Sequence, residues 1–381
     1  MYKRQIVDPL SRHAAFSRYP TPKDILGRSQ RWNFRRALSF LALGGFFLAT
    51  ICPPSVRAQT VTATLAAGTT PWAIAVNPVT NTIYVVNSNS NNVTVIDGAT
   101  NATATVTAGS FPDAIAVNPV TNMIYVANEG SNNVTVIDGA TNATTTVAAG
   151  SDPIAIAVNT VTNIVYVANN TSGDVTVING ATNATTTVAI GVHPFAIAVN
   201  PVTNMIYVAN TLSGVGAGSV TVIDGTTNAT STVVVGTNPK AIAVNPVTNT
   251  IYVANNGSNN VTVIDGTTNA TTTVAAGTNP NAIAVNPVTN TVYVANENSS
   301  SVTVIDGATN ATSTVAVGTN PKAIAVNPVT NTIYDAEESD TVTVIDGSTY
   351  ATATVPVGNF PKSVSYTHLD VYKRQVTMWL S

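Results

Sequence analysis

The sequence predicts an all-β fold assembled from one repeated unit. Within its 381 residues, a Pro followed by an Ala-Ile-Ala-Val-like run recurs at intervals of 41, 41, 41, 45, 41, 41 and 40 residues. Each interval contains four short runs rich in β-branched residues, and none has the length or period of a helix. Four strands repeated at this spacing are typical of the blades of a β-propeller. The recurring prolines are Pro71, Pro112, Pro153, Pro194, Pro239, Pro280, Pro321 and Pro361.

The first unit shows how each strand is delimited. An Asn-Pro-Val-Thr-Asn turn leads from strand A to strand B, because Pro presets φ and Asn tolerates the left-handed region. Asp97-Gly98 begins the connection from strand C to strand D, which is a strong hairpin signal. We predict antiparallel strands at Ala73–Asn77 (A), Thr82–Asn87 (B), Val93–Ile96 (C) and about Ala102–Thr107 (D).

Side-chain size places the strands within each blade. Strand A is built from small residues that can crowd an axis, whereas strand B carries a large Tyr. Near-continuous apolar runs in strands A to C predict burial on both faces, between neighbouring blades. The Thr-rich strand D is expected at the outer edge. The recurring tyrosines, which we expect in the core, are Tyr84, Tyr125, Tyr166, Tyr207, Tyr252, Tyr293 and Tyr334.

The units define a propeller over residues 59–363 with seven complete blades. Their bounds are 71–111, 112–152, 153–193, 194–238, 239–279, 280–320 and 321–360. Val61–Ala67 resembles one more strand D, which could pair with strands from the C-terminal end and close the ring. An eighth unit breaks off after Ser363, so an eight-bladed native ring, truncated here, stays open as an alternative. In the last unit Asp335 and Glu337 replace the usual Val and Asn, which predicts a less regular strand B.

The repeat resembles a known family. Its strand-B motif Ile-Tyr-Val-Ala/Val-Asn stands beside Val-Asn-Pro-x-Thr-Asn and Val-x-Val-Ile-Asp-Gly, and this combination is similar to the YVTN β-propeller repeat. The resemblance covers about residues 60–363. It implies a propeller of the kind found in secreted and surface-layer proteins of bacteria and archaea. It implies no particular activity, because the motif is structural and a fold does not determine a function.

The N-terminal segment predicts export. Residues 6–58 comprise a basic region and an apolar run of sixteen residues, Ala37–Cys52, and small residues at Val56 and Ala58 are placed for cleavage. A run of that length is short for a membrane span and suits a signal peptide. We therefore expect a secreted, periplasmic or cell-surface protein that starts at Gln59 and has no stable membrane span.

Both ends of the chain carry the same four residues, Tyr-Lys-Arg-Gln, at positions 2–5 and 372–375. Residues 365–373 can be encoded by a perfect inverted repeat that resembles two transposon ends joined head to head. We interpret residues 1–5 and 364–381 as adapter-derived artefacts, and we expect the native chain to continue beyond residue 363.

The composition of residues 59–363 excludes several functions. Three lysines and no Arg stand against fifteen carboxylates, a net charge of −12, which disfavours nucleic acids and anionic membranes. The only His is His193, at a variable loop position, and there is no Cys for thiol or zinc chemistry. Aspartates followed by Gly, at positions 97, 138, 224, 265, 306 and 346, are interpreted as turn formers, because no calcium-loop pattern surrounds them. We predict neither catalysis nor a cofactor.

One end of the predicted ring favours recognition. The A–B and C–D turns are nearly identical in every unit, whereas the B–C loops and D–A crossings vary and carry aromatic and charged residues. The candidate ligand contacts are Trp72, Phe111, Asp113, Glu129, Asp152, Asp174, His193, Phe195, Lys240, Glu297, Lys322, Glu337 and Glu338. We predict a non-catalytic binding scaffold for an unknown protein or carbohydrate, cationic or rich in hydroxyls. A self-associating, surface-layer-like structural protein is the alternative, and a propeller enzyme is less favoured.

Overall fold

The computed structural model of the protein describes residues 59–211, 216–365 and 378–379. Within these ranges the chain forms seven four-stranded antiparallel sheets, arranged as propeller blades, and one two-stranded sheet. The helical residues there are two single 3₁₀ turns, Glu129–Ser131 and Glu297–Ser299. The predicted all-β propeller with seven complete blades is therefore confirmed. The predicted signal peptide and most of the C-terminal tail lie outside the described residues.

The blades follow one another along the chain, each in the order A-B-C-D. Blade 1 comprises β1 (Pro71–Asn77), β2 (Thr82–Asn87), β3 (Asn92–Asp97) and β4 (Thr103–Thr107), and blade 2 comprises β5 (Pro112–Asn118), β6 (Met123–Asn128), β7 (Asn133–Asp138) and β8 (Thr144–Ala148). Blade 3 comprises β9 (Pro153–Asn159), β10 (Ile164–Asn169), β11 (Asp174–Asn179) and β12 (Thr185–Ala189), and blade 4 comprises β13 (Pro194–Asn200), β14 (Met205–Asn210), β15 (Ala217–Asp224) and β16 (Thr230–Thr237). Blade 5 comprises β17 (Pro239–Asn245), β18 (Thr250–Asn255), β19 (Asn260–Asp265) and β20 (Thr271–Ala275), and blade 6 comprises β21 (Pro280–Asn286), β22 (Thr291–Asn296), β23 (Ser301–Asp306) and β24 (Thr312–Ala316). Blade 7 comprises β25 (Pro321–Asn327), β26 (Thr332–Glu337), β27 (Thr341–Asp346) and β28 (Thr352–Pro356), followed by β29 (Val364–Ser365) and β30 (Met378–Trp379).

The core lies between blades rather than within one. On one face of blade 1, Tyr84, Val86 and Val95 pack against Ile124 and Ile137 of blade 2, and the same pattern recurs from blade to blade. All seven strand-B tyrosines are completely buried. The strand-D residues are mostly exposed, in keeping with an outer edge. Each blade therefore stabilises the next one through apolar burial on both of its faces.

Blade 7 departs from the expectation made for it. Its strand B, β26, has the usual six residues and pairs in the usual register with β25 and β27, despite Asp335 and Glu337. The prediction of a less regular strand was therefore wrong. Backbone pairing on both sides specifies the strand, and the two carboxyl groups change only what its side chains face.

Paired asparagines connect consecutive blades. The Asn that ends strand A donates a hydrogen bond from Nδ2 to Oδ1 of the Asn in the next blade's A–B turn, over 2.7 or 2.8 Å. This bond is present at all six interfaces from blade 1 to blade 7. After blade 7 the series ends, because Nδ2 of Asn327 and Oδ1 of Asn81 are buried and have no hydrogen-bond partner among the described residues.

The contribution of one such pair can be isolated. In both Asn286 and Asn327, the side-chain Oδ1 accepts hydrogen bonds from two backbone N–H groups of the following turn, and substitution by Ala removes these bonds. Only Asn286 also donates a hydrogen bond to a neighbouring blade, at Asn331. We expect Asn286→Ala to lower the free energy of unfolding by about 1–2 kcal/mol more than Asn327→Ala, because it leaves a buried acceptor unpaired. Urea unfolding monitored by circular dichroism measures both variants, and equal losses would contradict this account.

Segments that flank the blades lie between blade 7 and blade 1. Strand β29 contacts both β25 and β1. Residues 59–68 form no strand, so the predicted strand at Val61–Ala67 was wrong, but Leu65 packs against Ile83 and Val85 of blade 1. Gln59 donates a hydrogen bond to the Tyr334 hydroxyl of blade 7 over 3.0 Å. The leading segment therefore reaches both blades by side-chain contacts without joining a sheet.

Candidate functional site

The variable loops and crossings lie together at one end of the blades. In blade 2, Glu129 at the start of the B–C loop donates its N–H to the carbonyl of Phe111 in the preceding crossing, over 3.0 Å. Equivalent bonds join Asn170 to Asp152 over 2.7 Å and Thr211 to the carbonyl of His193 over 3.0 Å. The repeated A–B and C–D turns are joined to each other in the same way, as in the bond from Gly98 to Asn81 of 2.8 Å. The candidate contacts therefore come from paired loops on a common face.

Each blade has a β-bulge at this face, at the residue that follows the recurring Pro of strand A. The pairing of strands A and B skips the residue after the Pro, as between Pro71 and Ala73, and the shift recurs in every blade. Bulges of this kind re-aim a side chain and are frequent next to functional sites. The inner strands of successive blades contact one another, so these positions follow one another around the ring. They are occupied by Trp72, Asp113, Ile154, Phe195, Lys240, Asn281 and Lys322.

The sector at blades 1 and 2 combines aromatic and acidic groups. Trp72 is 42% exposed, and its side chain lies near enough to the Asp113 carboxylate to lower the pKa of that group. The pKa of Asp113 is raised to about 6, mainly by burial and also by the nearby Glu129 carboxylate, while the Trp72 side chain opposes both effects. Phe111 lies against the backbone of Gly130, beside Glu129, and is 53% exposed. An aromatic surface here borders a carboxyl group whose pKa is raised well above its ordinary value by burial.

The basic sector, at blades 4 to 7, holds Lys240 and Lys322. Lys240 Nζ lies 3.9 Å from the centre of the Phe195 ring, a cation–π contact. Burial lowers the pKa of Lys240, and the charge of Glu297 opposes that shift. Lys322 forms ion pairs with Glu297 and with Glu338, the latter over 3.3 Å. The charges of this sector are therefore largely paired within the protein.

The residue that precedes each strand A has a left-handed backbone. Thr70, Asp152 and three asparagines at this position have φ between 51° and 60°. Phe111 and His193 adopt the same conformation, with φ of 48° and 50°. Asn accepts the left-handed region readily, but a bulky side chain is strained there. Two candidate contacts are thus held in a backbone conformation that suits Asn better.

Several candidate residues have partners that explain them structurally. Asp174 accepts a hydrogen bond from the Asn169 amide over 2.6 Å, and Asp152 accepts one from the Thr171 hydroxyl. The prediction that Glu337 is a ligand contact was wrong, because its side chain is completely buried and does not reach the surface. Its carboxylate accepts hydrogen bonds from the Gly318 N–H, over 2.9 Å, and from the Thr341 hydroxyl, so it belongs to the interface of blades 6 and 7.

The recurring Asp-Gly turns have a structural geometry. Oδ1 of Asp97 accepts the backbone N–H groups of Ala99 and Thr100 over 2.9 and 2.8 Å, which lowers the pKa of Asp97. Asn179 makes the same two contacts in blade 3 without a charge. A Cβ at Gly98 would lie 2.7 Å from the carbonyl oxygen of Asn81, so the close approach of the two turns requires Gly there.

Sequence reasoning missed two residues at this face. Lys362 forms an ion pair with Glu338 over 3.5 Å, and Phe360 is 58% exposed with φ of 51°. Both occupy the repeat positions already singled out, directly around Pro361. Their spacing from that Pro, matching Asp113 and Phe111 around Pro112, could have identified them.

Among the described residues, no group of three or more His, Cys, Asp or Glu side chains is arranged to hold a metal ion. Within the same ranges, no helix has the length and hydrophobicity to cross a membrane.

Comparisons with known proteins identify the fold. No family model matches the chain, and no curated protein is significantly similar to it. Among solved structures, Kuenenia stuttgartiensis hydrazine synthase superposes with a TM-score of 0.63 at 20% sequence identity, over 75% of this chain and 98% of that chain. This likeness shows a shared propeller fold. At such low identity it carries no activity over to this chain.

Proposed function

We propose that this protein is an exported, non-catalytic binding scaffold of the YVTN repeat type, and that its ligand meets the face of the B–C loops and D–A crossings. The observation that carries the proposal is the ring of bulge positions. The strands and the A–B and C–D turns are nearly identical between repeats, yet these positions hold Trp, Asp, Ile, Phe, Lys, Asn and Lys. Folding alone requires no such variety, whereas selective recognition does.

The sector around Trp72 is the best candidate for the ligand contact. An exposed indole ring beside the carboxyl groups of Asp113 and Glu129 suits a cationic group through ring and charge contacts, or a sugar through stacking and hydrogen bonds. The basic sector is a weaker candidate for the ligand contact, because Glu297 and Glu338 already form ion pairs with Lys322. A protein or carbohydrate with cationic groups or hydroxyl groups is therefore the favoured partner.

Backbone strain also supports the Trp72 sector as the place where the ligand binds. Phe111 and His193 retain left-handed φ values at positions where three other crossings have Asn. Strain of this kind costs on the order of 1–3 kcal/mol, and it clusters at functional sites. Phe111 also borders the Trp72 sector through its neighbour Glu129, so the strained residue adds aromatic surface where the ligand is proposed to bind.

A second candidate function is assembly through the opposite face. Each A–B turn exposes a Val, and these valines are between 62% and 75% exposed. A repeated apolar side chain on otherwise polar turns favours contact with another surface. The valines are Val79, Val120, Val161, Val202, Val247, Val288 and Val329. Light scattering distinguishes the two functions, since assembly requires particles larger than a monomer that shrink when the valines are changed to Thr.

The binding proposal is tested by a ligand screen with soluble glycans and cationic peptides. Trp72→Ala and Asp113→Asn are each expected to weaken a hit by about tenfold, because each removes one hot-spot contact. A cationic ligand is expected to bind more tightly as the pH rises through about 6, because Asp113 then loses its proton. Titration calorimetry between pH 5 and pH 8 gives both results.

The control changes the other face. Val79→Thr and Val120→Thr alter exposed turns far from the proposed contacts and are expected to leave the affinity unchanged. A hit that loses affinity in these variants, but binds normally to Trp72→Ala and Asp113→Asn, would show that the wrong face was chosen.

A further inference from the structure

The seam between blade 7 and blade 1 lacks the contacts that join other blades. Nδ2 of Asn327 and Oδ1 of Asn81 would be the donor and acceptor of an ordinary interface, but neither has a partner among the described residues. Buried amide groups are almost always hydrogen-bonded. The equivalent donor and acceptor are paired at all six interfaces between consecutive blades, and β29 contacts both β25 and β1. Together these observations indicate that blades 7 and 1 are not direct neighbours, and that each faces the place of one intervening blade.

The chain supplies strand A of that intervening blade. The Phe360 N–H donates to Oδ1 of Asp340 over 2.9 Å, as the Phe111 N–H does to Asn91. Val364 of β29 is buried against Tyr334 in blade 7. Strand β29 also contacts β1, the inner strand on its other side. Residues 361–365, the last two of which belong to the tail interpreted above as adapter-derived, therefore occupy the position that an eighth inner strand would take.

The chain also places residues 59–70 where strand D of that blade would lead into blade 1. The Thr69 N–H donates to Oγ of Ser90 over 3.0 Å, as the Ser110 N–H does to Ser131 at the next interface. Leu65 precedes Pro71 by the same number of residues as Val106 precedes Pro112. It packs on the Ile83 and Val85 face of blade 1.

Strands B and C of the intervening blade have no counterpart of full length among the described residues. A cleft of about 590 Å³ lies beside residues 61–68 and is lined by Val85, Ile96 and Val357. Strand β30 pairs with β29 over two residues, Val364 with Trp379 and Ser365 with Met378. Both strands belong to the tail interpreted above as adapter-derived, and their pairing shows that the edge of β29 in this chain can accept an antiparallel strand.

We propose that this seam is a docking site for a β-hairpin that has the strand B–strand C sequence of the repeat, and that the hairpin completes an eighth blade. Such a hairpin adds to the edge of β29 and displaces β30. The Ile residues of its B and C strands, corresponding to Ile251 and Ile264, would pack on the Tyr334 face of blade 7. Its Tyr would pack on blade 1, and the Asn of its leading turn would accept the hydrogen bond from Asn327.

The test in trans uses a synthetic peptide with the sequence of residues 246–266, which carries most of the A–B turn and strands B and C of blade 5. Native mass spectrometry of the full chain is expected to show a complex of one peptide per protein. At a tenfold excess over Kd, the unfolding midpoint is expected to rise by about 2–4 °C, because the peptide binds only the folded form.

A matched peptide carrying I251D and I264D has the same length and turn but places two carboxylates against blade 7. It is expected to bind at least a hundredfold more weakly. Equal binding of both peptides, or binding of neither, would overturn the proposal. A dimer of the chain that cross-links through residues of the cleft would also overturn it, because the seam would then be covered by a second copy.

A variant in cis answers the same question if the free peptide self-associates. Residues 366–381 are replaced by a copy of residues 244–266, which continues strand A after Ser365 in the repeat register. The unfolding midpoint is expected to rise above that of the original chain, and the added hairpin is expected to resist thermolysin. If the midpoint does not rise and the hairpin is cut as fast as its I251D/I264D counterpart, the seam does not accept an eighth blade.

Discussion

Replacing Tyr252 with Ala is expected to lower the free energy of unfolding by about 3–5 kcal/mol, because it empties the centre of the interface between blades 5 and 6. The Tyr252 side chain is completely buried and packs with Val263, Val292 and Val294. The surrounding strands are held by backbone pairing on both sides and cannot collapse into the cavity. Equilibrium unfolding in urea, followed by circular dichroism, measures the loss.

Tyr350 provides the matched control. It is 39% exposed, stands in a C–D turn with φ of 59°, and occupies a position where other units have Asn. Tyr350→Asn is expected to change stability by less than about 0.5 kcal/mol, or to raise it slightly, since Asn suits the left-handed backbone better. A loss below about 1 kcal/mol for Tyr252→Ala would contradict the packing described between blades.

Replacing Asp335 with Val is expected to raise the free energy of unfolding by about 2–4 kcal/mol at pH 7. Asp335 is completely buried in β26, and neither of its carboxylate oxygens has a hydrogen-bond partner among the described residues. In the pairing register, Asp335 occupies the position where the other blades have Val. Its side chain lies on the same side of the sheet as Ile333, and Ile333 packs against Tyr293 of blade 6. A buried, unpaired carboxyl group therefore interrupts an apolar interface.

The effect of Asp335→Val should depend on pH in a specific direction. Burial, and then the charge of Glu337, raises the pKa of Asp335 well above its usual value. The folded state therefore holds this proton more tightly than the unfolded state does, and its stability falls as the pH rises from about 4 towards the raised pKa. The advantage of the Val variant is expected to be small near pH 4 and to grow towards pH 7.

The reverse substitution in blade 6 is the control for Asp335. Val294 occupies the equivalent register position in β22 and is completely buried. Val294→Asp is expected to lower the free energy of unfolding more at pH 7 than at pH 4, whereas Asp335→Val is expected to raise it more at pH 7 than at pH 4. Unfolding curves at both pH values test the pair. A stability difference for Asp335→Val that does not change with pH would show that the carboxyl group finds a partner in the folded protein.

The sequence predicted most of the fold because each element has a local cause. The repeat length, the turn residues and the period of the apolar runs placed strands B at 82–87 and D close to 103–107, as the structure has them. Strand A was predicted to start two residues late, at Ala73 instead of Pro71. The reason is the bulge at Trp72, which lets Pro71 pair with Asn87 out of step with Ala73. No local residue signal marks that shift.

The candidate site was predicted only in outline. Sequence variation alone identified which loops differ, and hence Trp72, Asp113 and Lys240 as residues of interest. It could not show that Glu337, within the same acidic run as Glu338, turns inward to bind Gly318 and Thr341, while Glu338 stays at the surface. Glu337 is the last residue of β26 and Glu338 follows it, so the direction of each side chain depends on the register of pairing and on where the strand ends.

What the sequence by itself determined is the blade: four strands, their turns, the buried Tyr and the exposed Thr edge, all of which follow from interactions within about 41 residues. Only the tertiary structure decided how the blades meet. The asparagine pairs, the place of Asp335 between blades 6 and 7, and the unpaired groups of Asn327 and Asn81 depend on contacts between units. Residues in identical local sequence, such as Asn286 and Asn327, have different partners because one has a blade beside it and the other faces the seam.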